Sequence, residues 1–204
     1  MELLKKLMVI IEKRLKMSNI WFTSDWHFGH NKNFLYEPRG FTCVEDMNEA
    51  IIERHNSVVD NCDIVYCLGD CLMGDSEKNI QYINALKGKI KIILGNHCTE
   101  NRIKLYQEYG HEILGYADKI KISRNISFFL CHYPVLTMPR NLDGKLNGRT
   151  YSICGHSHTK DKWADWNIGG IYHAELDAHN CYPVHIDQVI SDIKEKAEEC
   201  LSFL

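Results

Sequence analysis

Aspartate, asparagine and histidine recur in this 204-residue chain where apolar runs end. Five segments carry the pattern: Asp25-Trp26-His27, Gly69-Asp70, Gly95-Asn96-His97, Cys131-His132 and Gly155-His156-Ser157-His158. Carboxylate, amide oxygen and imidazole are hard to borderline donors. They suit Mn²⁺, Fe or catalytic Zn²⁺ better than a structural zinc site built on thiolates. None of the nine cysteines forms a Cys-x-x-Cys pair, in keeping with that donor set. In an extended segment residues i and i+2 point the same way. Asp25 and His27 can therefore share one ion, and His156 and His158 one site. These donors outnumber what a single ion takes. Two ions about 3.5–4 Å apart, bridged by one carboxylate, accommodate them. Such a pair acidifies water and clamps the attacking and leaving oxygens of a displacement, so a phosphate ester is the substrate class to expect. Gly69, Gly95 and Gly155 each precede a candidate ligand, where a residue without Cβ lets the chain turn sharply.

The elements that must position these residues are legible as a pattern. Asn19–Ser24, Asp63–Leu68 and Lys89–Leu94 read as short buried strands, each ending at one of the polar motifs. Between them, Thr42-x-x-Glu45 reads as a capping box opening a helix with Val44, Met47, Ile51 and Val58 on its apolar face. Ser76 reads as the cap of a second helix that Gly88 stops, and a third helix is expected from Thr99 to Tyr109. This β-α-β-α-β-α order argues for an α/β core with parallel strands. Ligands of open α/β sheets bind outside the carboxyl ends of the strands, which is where the motifs fall. The second half is richer in strands. A hairpin is expected at Lys119–Ser123 and Ile126–Leu130, another strand at Tyr151–Cys154, short strand pieces over 163–185, and a last helix capped by Asp187. A second sheet packed on the first follows.

Composition excludes several classes. Hydrophobic residues make up 45% and charged residues 25%, an ordinary globular balance. The net charge of −3 provides no global field for holding nucleic acid, so no stable nucleic-acid binding is expected. No apolar run is long enough to span a bilayer. The odd cysteine count, with Cys67, Cys131 and Cys154 inside apolar runs, favours free thiols and a reducing, cytoplasmic setting. Residues 1–16 have the spacing of a basic amphipathic helix, and the charge spread along them argues against a signal peptide. The expected organisation is an N-terminal extension over 1–17 and one domain over 18–204. His55, His111 and His185 fit satisfied structural histidines.

The order Asp-x-His, Gly-Asp, Gly-Asn-His, His, Gly-His-x-His resembles the calcineurin-like metallophosphoesterase family over about residues 19–190. The stretches Trp21–His30 and Asp177–Val184 resemble its small bacterial and phage-borne branch. The resemblance implies an α/β fold, a two-sheet β-sandwich flanked by helices, here with an extra N-terminal helix. It implies a metal-dependent phosphoesterase with two divalent ions, Mn²⁺ first, with Fe, Ni or Zn²⁺ as alternatives. Asp25, His27 and His158 would bind the first ion, Asp70 would bridge, and Asn96, His132 and His156 would bind the second. His97 would stay off the metals and serve as general acid toward the leaving oxygen. The family usually places an acidic residue after Gly-Asn-His to orient the histidine. Here that residue is Cys98, which leaves the tuning of His97 open. Asp75 stands near where the family often has another acidic residue.

Small phosphodiesters or nucleotides are the preferred substrates on this reading, with phosphomonoesters second. A catalytically silent metal-binding scaffold is the competing class, although such relatives lack a ligand or the catalytic histidine and this chain keeps all of them. The loop 28–41 is long enough to overhang the site. Its His30, Asn33 and Arg39 are candidate substrate contacts, Arg39 through a two-pronged grip on phosphate. His179 and Asn180 stand in the late matching stretch, Asn180 as a turn residue. Segment 137–150, with Arg140, Lys145 and Arg149, is a candidate basic rim or flap.

Overall fold

A computed structural model of the protein describes residues 18–124, 126–137, 149–164 and 170–202. The expected helix at 1–16 and residues 138–148 of the basic segment lie outside these residues. Ten strands are described: β1 (Ile20–Thr23), β2 (Ile64–Cys67), β3 (Lys89–Ile93), β4 (Glu112–Gly115), β5 (Ala117–Lys121), β6 (Ile126–Cys131), β7 (Arg149–Cys154), β8 (Trp163–Ala164), β9 (Ile171–His173) and β10 (Val184–His185). Around them lie α1 (Asn33–Tyr36), α2 (Val44–Val58), α3 (Ser76–Asn84), α4 (Glu100–Glu108) and α5 (Ile186–Ser202). Among the described residues no helix is long and apolar enough to cross a membrane.

The first sheet has the order β10-β1-β2-β3-β4, with β1 to β4 parallel and β10 antiparallel to β1. The second has the order β5-β6-β7-β9-β8. Its β5 and β6 form the expected antiparallel pair, whereas β6, β7 and β9 run parallel. The period-two alternation of β2 explains the layering. Val65 and Cys67 face a core shared with Met47 and Ile51 of α2, Ile80 and Ile83 of α3, and Tyr106 of α4. Tyr66, with Leu68 beyond the strand, faces the opposite way, into a core with Phe128 and Leu130 of β6, Tyr151 and Ile153 of β7, and Val189 of α5. The first sheet is thus covered by helices on one side and by the second sheet on the other. Burial on both faces is why the central β2 reads as a continuous apolar run, whereas β3, with Lys89 and Lys91, alternates.

Local details depart from the expected ones for identifiable reasons. The cap of α2 is Cys43, whose Sγ accepts from Asp46 N, because Thr42 Oγ1 donates to the Asp46 carboxylate instead. The cap of α3 is Asp75, which accepts from Lys78 N, while Ser76 Oγ accepts from Arg102 Nε. Asp75 therefore has a helix-capping role, and it does not line the cavity at the polar strand ends. On α2, Val58 is exposed; His55 is the buried position after Ile51, and Val59, just past the helix, is buried in its place. β4 was not expected; only Tyr116 separates it from β5, so the chain steps from one sheet to the other there.

Candidate metal centre

The polar motifs follow the carboxyl ends of β1, β2 and β3 in one sheet and of β6 and β7 in the other. Backbone bonds extend beyond the strands and tie the motifs together: Asp25 N donates to Gly69 O, His27 N to Asp70 O, and Gly155 N to His132 O. Five residues of the motifs, Asp25, His27, Asp70, His156 and His158, have positive φ, between 49° and 76°. This left-handed region is strained for residues with a Cβ, and such strain concentrates where surrounding structure enforces it at functional sites. Gly95 and Gly155 are needed for clearance rather than for turning. A Cβ on Gly95 would collide with the Asp70 carboxylate, and one on Gly155 with Ser24 and the Asp25 carboxylate.

Each buried carboxylate commits one oxygen to another motif and offers the other to the cluster. Asp25 Oδ2 accepts from His156 N at 2.9 Å, and Asp70 Oδ1 accepts from His97 N at 2.9 Å. Asp25 Oδ1 is enclosed with no hydrogen-bond partner, 3.6 Å from His27 Nε2 and 3.7 Å from His158 Nε2. Asp70 Oδ2 lies 3.3 Å from His132 Nε2 and 4.0 Å from His27 Nε2, between the two groups. On its far side, His132 Nε2 is 2.9 Å from Asn96 Oδ1, and His156 Nδ1 is 3.0 Å from Asn96 Oδ1 and 3.2 Å from His132 Nε2. Asp25, His27 and His158 form one potential ligand group, and Asp25, Asp70 and His132 another.

The donor chemistry fits cations. His132 Nδ1 sits 2.8 Å from Leu68 O, an acceptor only, so the ring proton belongs there and Nε2 presents a lone pair. That lone pair faces the oxygens of Asn96 and Asp70. In the same way, His158 Nδ1 is 3.0 Å from Asp177 Oδ2, which turns the Nε2 lone pair toward His27 Nε2 at 3.2 Å. At His132 lone pairs face lone pairs, and these repel one another unless a cation or extra protons lie between them. Histidine ligands characteristically make such outer bonds through the second ring nitrogen.

Electrostatics keep both carboxylates ionised. Burial alone would raise Asp25, but the neighbouring His27, His132 and His158 imidazoles prevail and hold it at about 2. Asp70 is also lowered; burial is opposed by the nearby His132 imidazole and by the bond from the His97 backbone. Burial pushes His27 down. His132 and His158 are raised despite burial, by Asp70 and Asp177 respectively.

His97 is partly exposed at the mouth, its Nε2 4.0 Å from Asp70 Oδ2, and its carbonyl accepts from Arg102 at 2.6 Å. Cys98 does not orient it. The Cys98 thiol turns toward the helix-side core, accepts from Gly95 N, and is pushed up to about 12 by burial. His27, Asp70, Asn96, His97, His156 and His158 line one cavity of about 510 Å³, together with His30. Burial and the surrounding histidines bring His30 down to about 4. A more open groove of about 480 Å³ at the starts of α3 and α4 holds none of the candidate ligands.

Arg39 is placed otherwise than a phosphate-gripping residue requires. Its side chain is buried, and its two-pronged grip is on Asp177, at 3.0 and 2.7 Å, with a further bond to Asp25 O. Asn33 is exposed in α1 and does not line the cavity. His179 bonds His173 O and stacks on Tyr172, whereas Asn180 is the left-handed cap of the turn Leu176–His179. His55 bonds Lys87 O, His111 bonds Asn84, and His185 accepts from Asp187 N, all structural roles. Asp177 is the functional residue that the reading of single motifs passed over. Its signal was its place in the stretch Asp177–Val184. Glu175 accompanies it, fully buried, accepting from Thr159 N beside His158 and touching His173.

Two packed sheets whose strand ends gather carboxylates, an amide and imidazoles into one cluster make a candidate metal-binding architecture. A model of the calcineurin-like phosphoesterase superfamily domain matches residues 19–172, and the chain belongs to that family. It is 31% identical to uncharacterized protein MJ1445 of Methanocaldococcus jannaschii, over 89% of this chain and 94% of that one. It is 36% identical to the Gene 66 protein of Mycobacterium phage D29, over 88% and 99% respectively. Its fold resembles that of a protein of unknown function, AQ665 from Aquifex aeolicus, with a TM-score of 0.65 and 21% identity, covering 86% of this chain and 99% of that one. The family implies divalent ions and phosphoester hydrolysis, and the grouped ligands agree with the first.

Proposed function

We propose that the protein hydrolyses phosphodiesters, including nucleotide esters, at a centre for two divalent cations, Mn²⁺ foremost. In this reading Asp25, His27 and His158 hold one cation and Asn96, His132 and His156 the other, with Asp70 shared. The observation that carries it is the convergence of the Asp70, Asn96 and His132 lone pairs beside His156 Nδ1, with the His132 proton fixed on the opposite ring nitrogen. Two cations there supply Lewis-acid activation of water and neutralisation of phosphate charge.

The chain's own groups divide the remaining work. Asp70 orients the His97 backbone, which brings its imidazole to the mouth, where Nε2–H can give a proton to the leaving oxygen. Asp177 keeps the His158 proton on Nδ1, and Arg39 holds Asp177 in place rather than gripping phosphate. A diester is preferred over a monoester because none of the described residues lining the cavity is Lys or Arg. A monoester dianion would call for more positive charge than a diester monoanion.

The test is turnover of bis(p-nitrophenyl) phosphate and p-nitrophenyl phosphate with Mn²⁺ added. His97→Ala is expected to lower diester turnover by roughly 10²–10⁴-fold while metal stays bound. Full metal occupancy in the wild type without hydrolysis of either ester would make the chain a metal-binding scaffold. Loss of metal from His97→Ala would place His97 among the ligands.

A further inference from the structure

The cavity has a second wall of different character. Away from the donor cluster it is lined by Phe34, Leu35, Pro38 and Met73, with His30 between the two. Phe34 is 68% exposed. Its ring stands perpendicular to His30 at 5.6 Å, and the His30 ring lies 5.3 Å from His27. Phe34 does not stand alone: with Leu35, Pro38 and Met73 it makes a contiguous apolar surface at the cavity mouth, the kind of patch that marks a ligand-binding groove.

The loop around it is firmly held. Leu35 is buried, Tyr36 packs on the helix-side core and accepts from Phe41 N, and Arg39 is pinned to Asp177 and to Asp25 O. These contacts preorganise Phe34, which lowers the entropic cost of ordering it around a ligand. The wall carries no ionised side chain, and it is continuous with the face of the donor cluster. A group seated against it while its phosphate meets the cluster must be flat and apolar on its face.

We infer that Phe34, backed by Leu35, Pro38 and Met73, seats a flat aromatic group of the substrate, a nucleobase in a nucleotide-type ester. The inference rests on the phosphoester reading above and adds a base-binding subsite to it. Stacking on an aromatic ring tolerates any base, since every base has a π face. The subsite therefore recognises the presence of a base more than its identity.

Calorimetry on the Mn²⁺-loaded protein tests this with adenosine monophosphate, uridine monophosphate and ribose 5-phosphate as probes. Both nucleotides are expected to bind roughly 10- to 100-fold more tightly than ribose 5-phosphate. Phe34→Ala abolishes that margin, Phe34→Trp retains it and Met73→Ala narrows it, with bound metal unchanged in all of them. Equal affinity of the wild type for sugar phosphate and nucleotide would overturn the subsite, as would a margin that survives Phe34→Ala. Failure of the hydrolytic reading has a separate signature, absence of turnover with metals bound, and leaves the base margin measurable.

Discussion

Asp25 and His158 are secured from behind by the Asp177–Arg39 pair, whereas His132 is secured by backbone and Asn96 and His156 by contacts within the cluster. Behind His158 stands Asp177, itself gripped by the buried Arg39 guanidinium that also caps the Asp25 carbonyl. Burial opposes ionisation of Asp177, yet its bonds to His158 and Arg39 hold it well below the usual carboxylate range. Across the cluster, His132 is fixed through Leu68 O, and Asn96 and His156 are exposed. One half is thus braced from behind by charged side chains and the other by backbone, while each half presents exposed candidate ligands, His158 in the first and Asn96 and His156 in the second. Asp70 touches both.

The contrast sets an order of effects. Asp70→Asn acts on both halves, so it is expected to strip bound metal and reduce turnover to background. Retention of two equivalents would deny Asp70 its shared place. Asp177→Asn acts on one half only, through the orientation of His158. Its expected cost is roughly 10- to 100-fold in affinity for one metal equivalent, with the other unaffected, read by calorimetric titration. It also leaves the Arg39 charge less well paired in the interior, so the melting temperature should fall. Equal weakening of both equivalents would erase the distinction between the halves.

A smaller effect lies outside the centre. Burial depresses His55 to about 4, against which its bond to Lys87 O is insufficient. The unfolded chain takes up that proton near the ordinary histidine value of about 6.5, and the folded chain does not. Stability from the neutral imidazole is therefore complete above about 6.5 and declines as pH falls toward 4, by at most about 1.4 kcal/mol per pH unit. Urea denaturation of His55→Gln over this range should show a shallower pH slope than the wild type; an identical slope would mean that His55 does not contribute it.

The parallel strands were legible because Ile64–Cys67 reads as an apolar run and Lys89–Ile93 as an alternating one, each ending in a Gly-polar motif. The hairpin at β5 and β6 was legible from alternation and turn residues. Caps slipped by one residue at Cys43 and Asp75 because Thr42 and Ser76 form other side-chain bonds, which depend on neighbours rather than on propensity. β4 is a four-residue strand with too little pattern to declare itself. The candidate ligands could be named from their types and spacing. Their left-handed backbone could not, since Asp and His are only modestly enriched there. Arg39 looked like a substrate contact because an arginine in a loop beside a ligand has that chemistry. Only the fold brings it to Asp177, far along the chain.

The claim that two cation sites meet at Asp70 is tested most directly by titrating metal-free protein with Mn²⁺. The account predicts two equivalents in the wild type, with His158→Ala losing one and His156→Ala losing the other. A single equivalent that disappears in both variants would contradict it.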